Sequence, residues 1–481
     1  MLEEIIAERK RKLAKLHEAG VDAYPIKTKR THTTAAALAD FGKLVRAKKT
    51  VFVAGRVMGL RDMGNVMFLD VVDESGRFQA VLKKENLSDF KLLKAALDRG
   101  DIVSVGGKLF VTKTKEKSIE AKLVTILAKS IRPLPDKWSG LEDVEVRLRQ
   151  RYLEMLMDPS VRALFRKKTI FWQTFRDILK REGFLEVEMP VLEAVPGGAE
   201  AEPFITHHKA LDTDFYLRIS LELPLKKMLV AGYEKVFEIG RIFRNEGIDK
   251  DHLQDYTQVE FYWAYSDYEE LMKFIEKAYK EIIKKTTGGL TTTYEGKKIN
   301  WSKKWKKVDY VSAFEKANKM DPCAASRDEL FAKAKALNLK PEPNMGKGRL
   351  IDLIFKKTVR SQLQEPCFLI DPPVEIEPLA KRKPKDPRRV ERFQIVAAGT
   401  ELGKGFSELN DPADQRGRFE EQMRLRQAGD VEAQQMDEDY VEALEYGMPP
   451  AAGFGISERL FAVLMDKPVR ETVIFPLMRK K

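Results

Sequence analysis

The chain has 481 residues, with 86 Lys and Arg against 74 Asp and Glu and only two cysteines. That length allows two or three domains and a large core. No run approaches the roughly 18–20 apolar residues that a membrane span needs, and the charged N-terminus MLEEIIAERKRKLAKL lacks the apolar centre of a signal peptide. Cys323 and Cys367 form neither a metal-ligand spacing nor a disulfide framework, which points to a reducing, cytoplasmic setting. The net charge of +12 favours a polyanionic partner. Residues 1–50 hold 12 Lys and Arg against 6 Asp and Glu, so half of the excess sits in a tenth of the chain.

Residues 1–49 read as a basic helical extension, with a helix over 3–19 ended near Gly20. From 50 to 135 the character changes to short β-rich runs, TVFVAGRVM, VMFLDVVD, RFQAVLK, DIVSVGGKLFV and KLVTILAKSI, separated by turns such as Asp73-Glu74-Ser75-Gly76. Five short strands in some 80 residues predict a small barrel of the oligonucleotide-binding type. Pro133 and Pro135 mark a linker, and a second domain is expected over 145–481. It opens on a long helix with Asp158 as N-cap and Pro159 at its first position. Val161, Leu164, Phe165, Phe171, Trp172, Phe175, Ile178 and Leu179 recur at helical spacing, and Gly183 supplies the stop. Strands and helices then mix without a regular βα repeat, which argues against a doubly wound parallel sheet. Residues 286–345 are Lys-rich and read as an insertion with a helix near 327–337.

Neither common Gly-rich nucleotide loop is present. The run GTELGKG at 399–405 has one residue too few for a phosphate loop and lacks its Ser/Thr. Three other blocks carry the signal. GFLEVEMPVLEAVPGGAEAEPF (183–204), FEIGRIFRNEGIDKDHLQDYTQVEFYWAY (237–265) and GFGISERLFAVL (453–464) resemble motifs 1, 2 and 3 of the class II aminoacyl-tRNA synthetases. The segments PFITHHKALD, GFSELNDPADQ, ALEYGMPP and VIFPLMR resemble the lysine-specific branch of that family. The resemblance implies an α+β architecture: an N-terminal oligonucleotide-binding barrel for the anticodon, then a catalytic antiparallel sheet flanked by helices. It also implies a homodimer through motif 1. The activity it implies is ATP-dependent activation of L-lysine to the adenylate, followed by transfer to the 3' end of tRNA(Lys).

Such chemistry joins two anions, an amino-acid carboxylate and the α-phosphate of ATP, so the site must neutralise charge and hold geometry. No general base is required, because the nucleophile is already ionised. Arg244 matches the motif 2 arginine that bridges the carboxylate and the α-phosphate, and Arg459 the motif 3 arginine near the γ-phosphate. Taken alone, each arginine would read as a surface ion pair. Glu246 matches the glutamate that contacts the adenine amino group, His252 faces the phosphate tail, and Tyr256 takes the place of a phenylalanine that stacks on adenine. Pyrophosphate departure calls for Mg²⁺ on carboxylate oxygens. Glu401 matches the bridging glutamate, while Gln394 stands where a second glutamate is common.

A lysine pocket needs acids at its end and an apolar wall. Glu222, Glu408 and Tyr262 match positions that read the ε-ammonium; Glu260 supports them, Phe406 is the wall, and Gly198 admits the substrate amino group. Two buried acids without a cation would call for a cationic ligand; the alternative is that Glu222 and Glu408 pair with arginines of the protein. Lys404 stands where the family has asparagine, within the lysine-binding segment, and Glu202 and Asp251 replace arginines. In the barrel, Arg61, Phe68 and Gln79 match positions that read anticodon bases, with a core strand residue as the alternative for Phe68. Other readings are an aspartate or asparagine enzyme of the same subclass, a ligase that lysylates protein, and a catalytically silent RNA-binding scaffold.

Overall fold

The computed structural model describes residues 2–135, 143–247, 252–430 and 432–479. They divide into two compact units, 1–142 and 143–481.

The first unit is built on a closed five-stranded barrel. Its strands are β1 (Val51–Asp62), β2 (Val66–Val72), β3 (Arg77–Lys83), β4 (Ile102–Val111) and β5 (Lys117–Ala128), in the order β1-β2-β3-β5-β4. Period-2 alternation sends Met67, Leu69 and Val71 of β2 inward, where they join Phe78, Ala80 and Leu82 of β3 in one apolar core. Strand β5 begins five residues before the apolar run that predicts it, because Ser118 and Glu120 pair with β3 across a parallel junction. The basic helix α1 (Leu2–Glu18) is not a solvated arm. Arg9 is buried and donates to the carbonyls of Arg99, Ser130 and Arg132, and Lys12 pairs with Asp98 at 2.7 Å.

The second unit opens on two short helices and then α2 (Pro159–Arg181), whose N-cap Asp158 accepts from the amide of Ser160 with Pro159 at its first position. Its sheet takes strands from the whole unit. They are β6 (Leu185–Glu186), β7 (Lys235–Phe243), β8 (Asp255–Ala264), β9 (Lys306–Asp309), β10 (Cys367–Ile370), β11 (Arg392–Ala397), β12 (Thr400–Ser407) and β13 (Ala451–Ser457). The spatial order is β9-β10-β11-β12-β13-β8-β7-β6. The six central strands are antiparallel as expected, and a parallel strand closes each edge, β9 on β10 and β6 on β7. The sheet is therefore mixed.

Residues 286–345 are woven into this unit rather than appended to it. Trp301 and Trp305 fill the main core, β9 forms the sheet edge, and a helix covers Arg327–Ala336. A left-handed turn at Ala398 and Gly399 leads the run GTELGKG into β12, so Lys404 lies on a strand and not in a phosphate loop.

The two faces of the sheet have different duties. On one, Val259 and Phe261 of β8 join Phe454 and Ile456 of β13 against α2, α4 (Tyr268–Thr287) and α5 (Arg459–Leu464). The alternate residues of β8, Tyr256, Gln258, Glu260 and Tyr262, face the other way. On that side stands α3 (Glu222–Val230), packed on β7 and β8. The cleft forms between them.

Candidate active site

The floor of the cleft is β8, β12 and β13, and Glu222 of α3 closes one end. Glu260 is fully engaged: its Oε1 accepts from Ser220 Oγ at 2.8 Å, the Leu221 amide at 3.2 Å and Gln258 Nε2 at 2.5 Å, and its Oε2 accepts from Tyr262 Oη at 2.9 Å. It therefore fixes the Tyr262 hydroxyl. Phe406, buried, forms the apolar wall. Gly198 has φ +82°, and a Cβ there would come within 2.9 Å of Glu222 Cβ and 3.0 Å of Ser220 Oγ. Only glycine combines that backbone with that approach.

A cation of the protein revises the reading of the acids. Lys226, one helical turn after Glu222, is wholly buried, 2.7 Å from Glu222 Oε1 and ion-paired with Glu408 Oε2. Glu222 and Glu408 are thus not unpaired, and their partner is this lysine rather than an arginine. Burial pushes the Glu222 carboxyl up to about 7 against the pull of Lys226, and raises that of Glu408 as well. One ammonium does not offset the desolvation of two carboxylates. The sequence carried a signal for Lys226, the i, i+4 spacing of ELPLK. Its second partner lies on a distant segment, and spacing could not disclose it.

A second pocket adjoins, lined by Glu246, His252, Tyr256, Ser457 and Arg459 among others. The Arg244 guanidinium lies 5.8 Å over the Tyr256 ring, and its Nε donates to the carbonyl of Ile219 at 3.3 Å. A third pocket contains Gln394, Arg392, Glu377, Glu401 and Lys404. Among the described residues, Arg244 alone lines all three.

Burial pushes the Glu401 carboxyl up, but Arg392, Arg360, Arg459 and Lys404 outweigh it and hold it below the usual range. It is therefore an anionic donor facing the cleft. Gln394 stands opposite Lys404 in the strand register, not opposite Glu401. Among the described residues no three His, Cys, Asp or Glu side chains converge as a metal cage. A single ionised carboxylate still suits Mg²⁺, which usually takes one or two protein carboxylates and completes its shell with phosphates and water.

Lys404 carries its own counter-ion. Its Nζ is 2.8 Å from Glu377 Oε2, and Arg392 Nε is 3.1 Å from the same oxygen. Glu202 bonds Asn245 through its side chain at 3.3 Å and through its carbonyl at 2.8 Å. Asp251 lies outside the described residues. In the barrel, Phe68 is half-buried on the outer face, opposite Arg61 in the register and 5.6 Å beneath its guanidinium. Gln79 shares that face but is buried, with Oε1 accepting from Ser118 Oγ at 2.9 Å.

A β-sheet cleft closed by a helix, with an arginine at the meeting point of three pockets and acids at one end, is the arrangement of a class II synthetase. Residues 143–479 match the family model for tRNA synthetases class II (D, K and N), and residues 51–132 that for the OB-fold nucleic acid binding domain. The chain belongs to the class II tRNA synthetase family. It is 44% identical to a lysine–tRNA ligase of Carboxydothermus hydrogenoformans over 100% of this chain and 99% of that one. It is also 44% identical to a lysine–tRNA ligase of Moorella thermoacetica (99% and 98%) and 43% identical to one of Roseiflexus castenholzii (100% and 99%).

Proposed function

We propose that this chain activates L-lysine with ATP and transfers it to the 3' end of tRNA(Lys). The observation that carries the reading is the position of Arg244, shared by the acidic pocket of Glu222, Glu260 and Tyr262 and by the pocket of Glu246, His252, Tyr256 and Arg459. A lysine in the first places its carboxylate beside Arg244, and an ATP in the second places its α-phosphate there. The guanidinium neutralises both anions and presents its donors to the charge that grows at phosphorus, without moving. Glu246 offers an acceptor to the adenine amino group and Tyr256 a ring to stack on. His252 and Arg459 take the phosphate tail.

Glu401 is the residue that would hold Mg²⁺, and the ion would supply charge neutralisation for the departing pyrophosphate. Gln394 is a weaker neutral donor, so this chain's own fixed cations near Glu401, namely Arg392, Arg360 and Lys404, share that task. Phe68 and Arg61 offer the anticodon a ring and a cation. Glu222, Glu408 and Phe406 favour lysine over the aspartate and asparagine substrates of the same subclass, because an acidic pocket repels a carboxylate and leaves an amide's charge balance unmet.

The homodimer through motif 1 belongs to the same proposal. It is supported by Leu185, Val191 and Leu192, apolar and exposed in that segment. Among the described residues no helix is long and apolar enough to cross a membrane. The free thiols Cys323 and Cys367 support a reducing, cytoplasmic location. ATP–pyrophosphate exchange with each of the standard amino acids tests the reading: lysine alone should drive exchange, and exchange driven by aspartate or asparagine instead would overturn it.

A further inference from the structure

We propose that Lys226 is a specificity-determining residue, the resident cation of a four-charge site whose last charge is the substrate's ammonium. The inference rests on the lysine reading above and adds a residue to it.

The geometry is that of one ammonium shared by two acids. Lys226 binds Oε1 of Glu222 and Oε2 of Glu408. Among the described residues, nothing donates to the other oxygen of Glu222, and Glu222 lines the cleft. Both oxygens of Glu408 are buried without a hydrogen bond; Oε2 is in ion-pair contact with Lys226, and Oε1 is not. Oε1 lies 2.2 Å from the place a Cβ on Gly453 would take, and Gly453 also lines the cleft. Glu222 thus meets both Lys226 and the cleft, while Glu408, wholly buried, meets Lys226 and stands directly behind Gly453 on the cleft wall. The rings of Phe406, Tyr262 and Tyr440 surround the Lys226 ammonium at 5.4, 5.9 and 6.0 Å, so water does not screen it.

The charge count then sets the substrate class. Glu260 is already held by four donors of the protein. Of the three groups in contact, Glu222, Glu408 and Lys226, two ionised carboxylates and one ammonium leave one negative charge, which a single aliphatic ammonium completes. A neutral side chain leaves that charge buried and unmet. Without Lys226 the two acids would repel, and one would hold a proton in place of a cation. The groups that face Glu222 are Lys226 on its own helix, Glu260 and Tyr262 from β8, Lys404 from β12, and Glu408, Glu377 and Tyr440 beyond. Of the two cations, only Lys226 touches it.

The test is the pH profile of the lysine KM in ATP–pyrophosphate exchange, for the full chain, Lys226→Met and the double variant Lys226→Met/Glu408→Gln. In the unaltered protein the lysine KM should rise as pH falls below about 7, where the Glu222–Glu408 pair takes up a proton. In Lys226→Met that inflection should move up by about one unit or more, with little change in the KM for ATP. In the double variant, which removes one acid along with the cation, it should move back down. An unmoved inflection in Lys226→Met, or no return in the double variant, would reduce Lys226 to a packing residue and overturn the proposal. Calorimetry on the unaltered protein needs no variant to fold: lysine binding near pH 7 should release protons, and release should vanish near pH 8.5. Absence of release near pH 7 would also overturn it. Failure of the underlying reading looks different, since the unaltered protein would then show no lysine-dependent exchange at any pH.

Discussion

Gly453 and Glu408 stand so close that a Cβ on the glycine would lie 2.2 Å from Glu408 Oε1 and 2.4 Å from the Tyr262 ring. The hydrogen on Gly453 is what leaves room for both at the end of the cleft. Gly453→Ala should displace the acid and the ring that read the substrate, raising the lysine KM by about tenfold or more at unchanged ATP KM. An equal rise in both constants would place the defect elsewhere in the sheet.

Arg244→Ala removes the one side chain that, among the described residues, is common to the three pockets. Adenylate formation should fall by about 10²–10³-fold or more, the scale seen when a preorganised donor is lost. Filter binding of tRNA should be nearly unaffected. Exchange that survives the change would remove the role given to this arginine.

For Glu401→Gln, the carboxylate that its arginine neighbours keep ionised becomes a neutral amide. The Mg²⁺ concentration for half-maximal exchange should rise, with maximal rate lowered by about 100-fold. A magnesium titration reads both. An unchanged titration would mean that the ion is held elsewhere.

Phe68→Ala strips the ring beneath Arg61 from the outer face of the barrel. Stacking on one base is worth about 1–3 kcal/mol, so the KM for tRNA should rise by about 10- to 100-fold. Pyrophosphate exchange, which needs no tRNA in this reading, should not change.

Glu193 lies on the motif 1 segment with Oε2 buried and unpartnered, and burial pushes its carboxyl up to about 8 against the pull of Arg218. A carboxyl with a folded pKa above its unfolded value stabilises the fold while protonated. That contribution is complete below about pH 4.5 and is lost as pH rises through about 8. Glu193→Gln keeps the shape without the charge. It should raise the thermal midpoint by about a few degrees at pH 8, for a gain on the order of 1–3 kcal/mol. Near pH 5 the difference should close.

Much of this molecule is written in local patterns. Asp158 and Pro159 start α2 because capping needs only neighbouring residues, and the alternation in β2 and β8 assigns their inner and outer sides. The motif 2 and motif 3 blocks likewise pointed to Arg244 and Arg459, which lie just past the strands Lys235–Phe243 and Ala451–Ser457, and the family resemblance pointed to Glu401. Long-range pairing was not legible. The sequence places Lys226 one turn after Glu222, yet only the folded sheet brings Glu408 to the same ammonium, which changes two open acids into a site one charge short. The edge role of Lys306–Asp309 and the core positions of Trp301 and Trp305 were hidden for the same reason, in a Lys-rich segment that reads as an insertion. Local propensity and spacing act within a few residues, whereas burial and charge balance depend on which distant segments the tertiary structure makes neighbours.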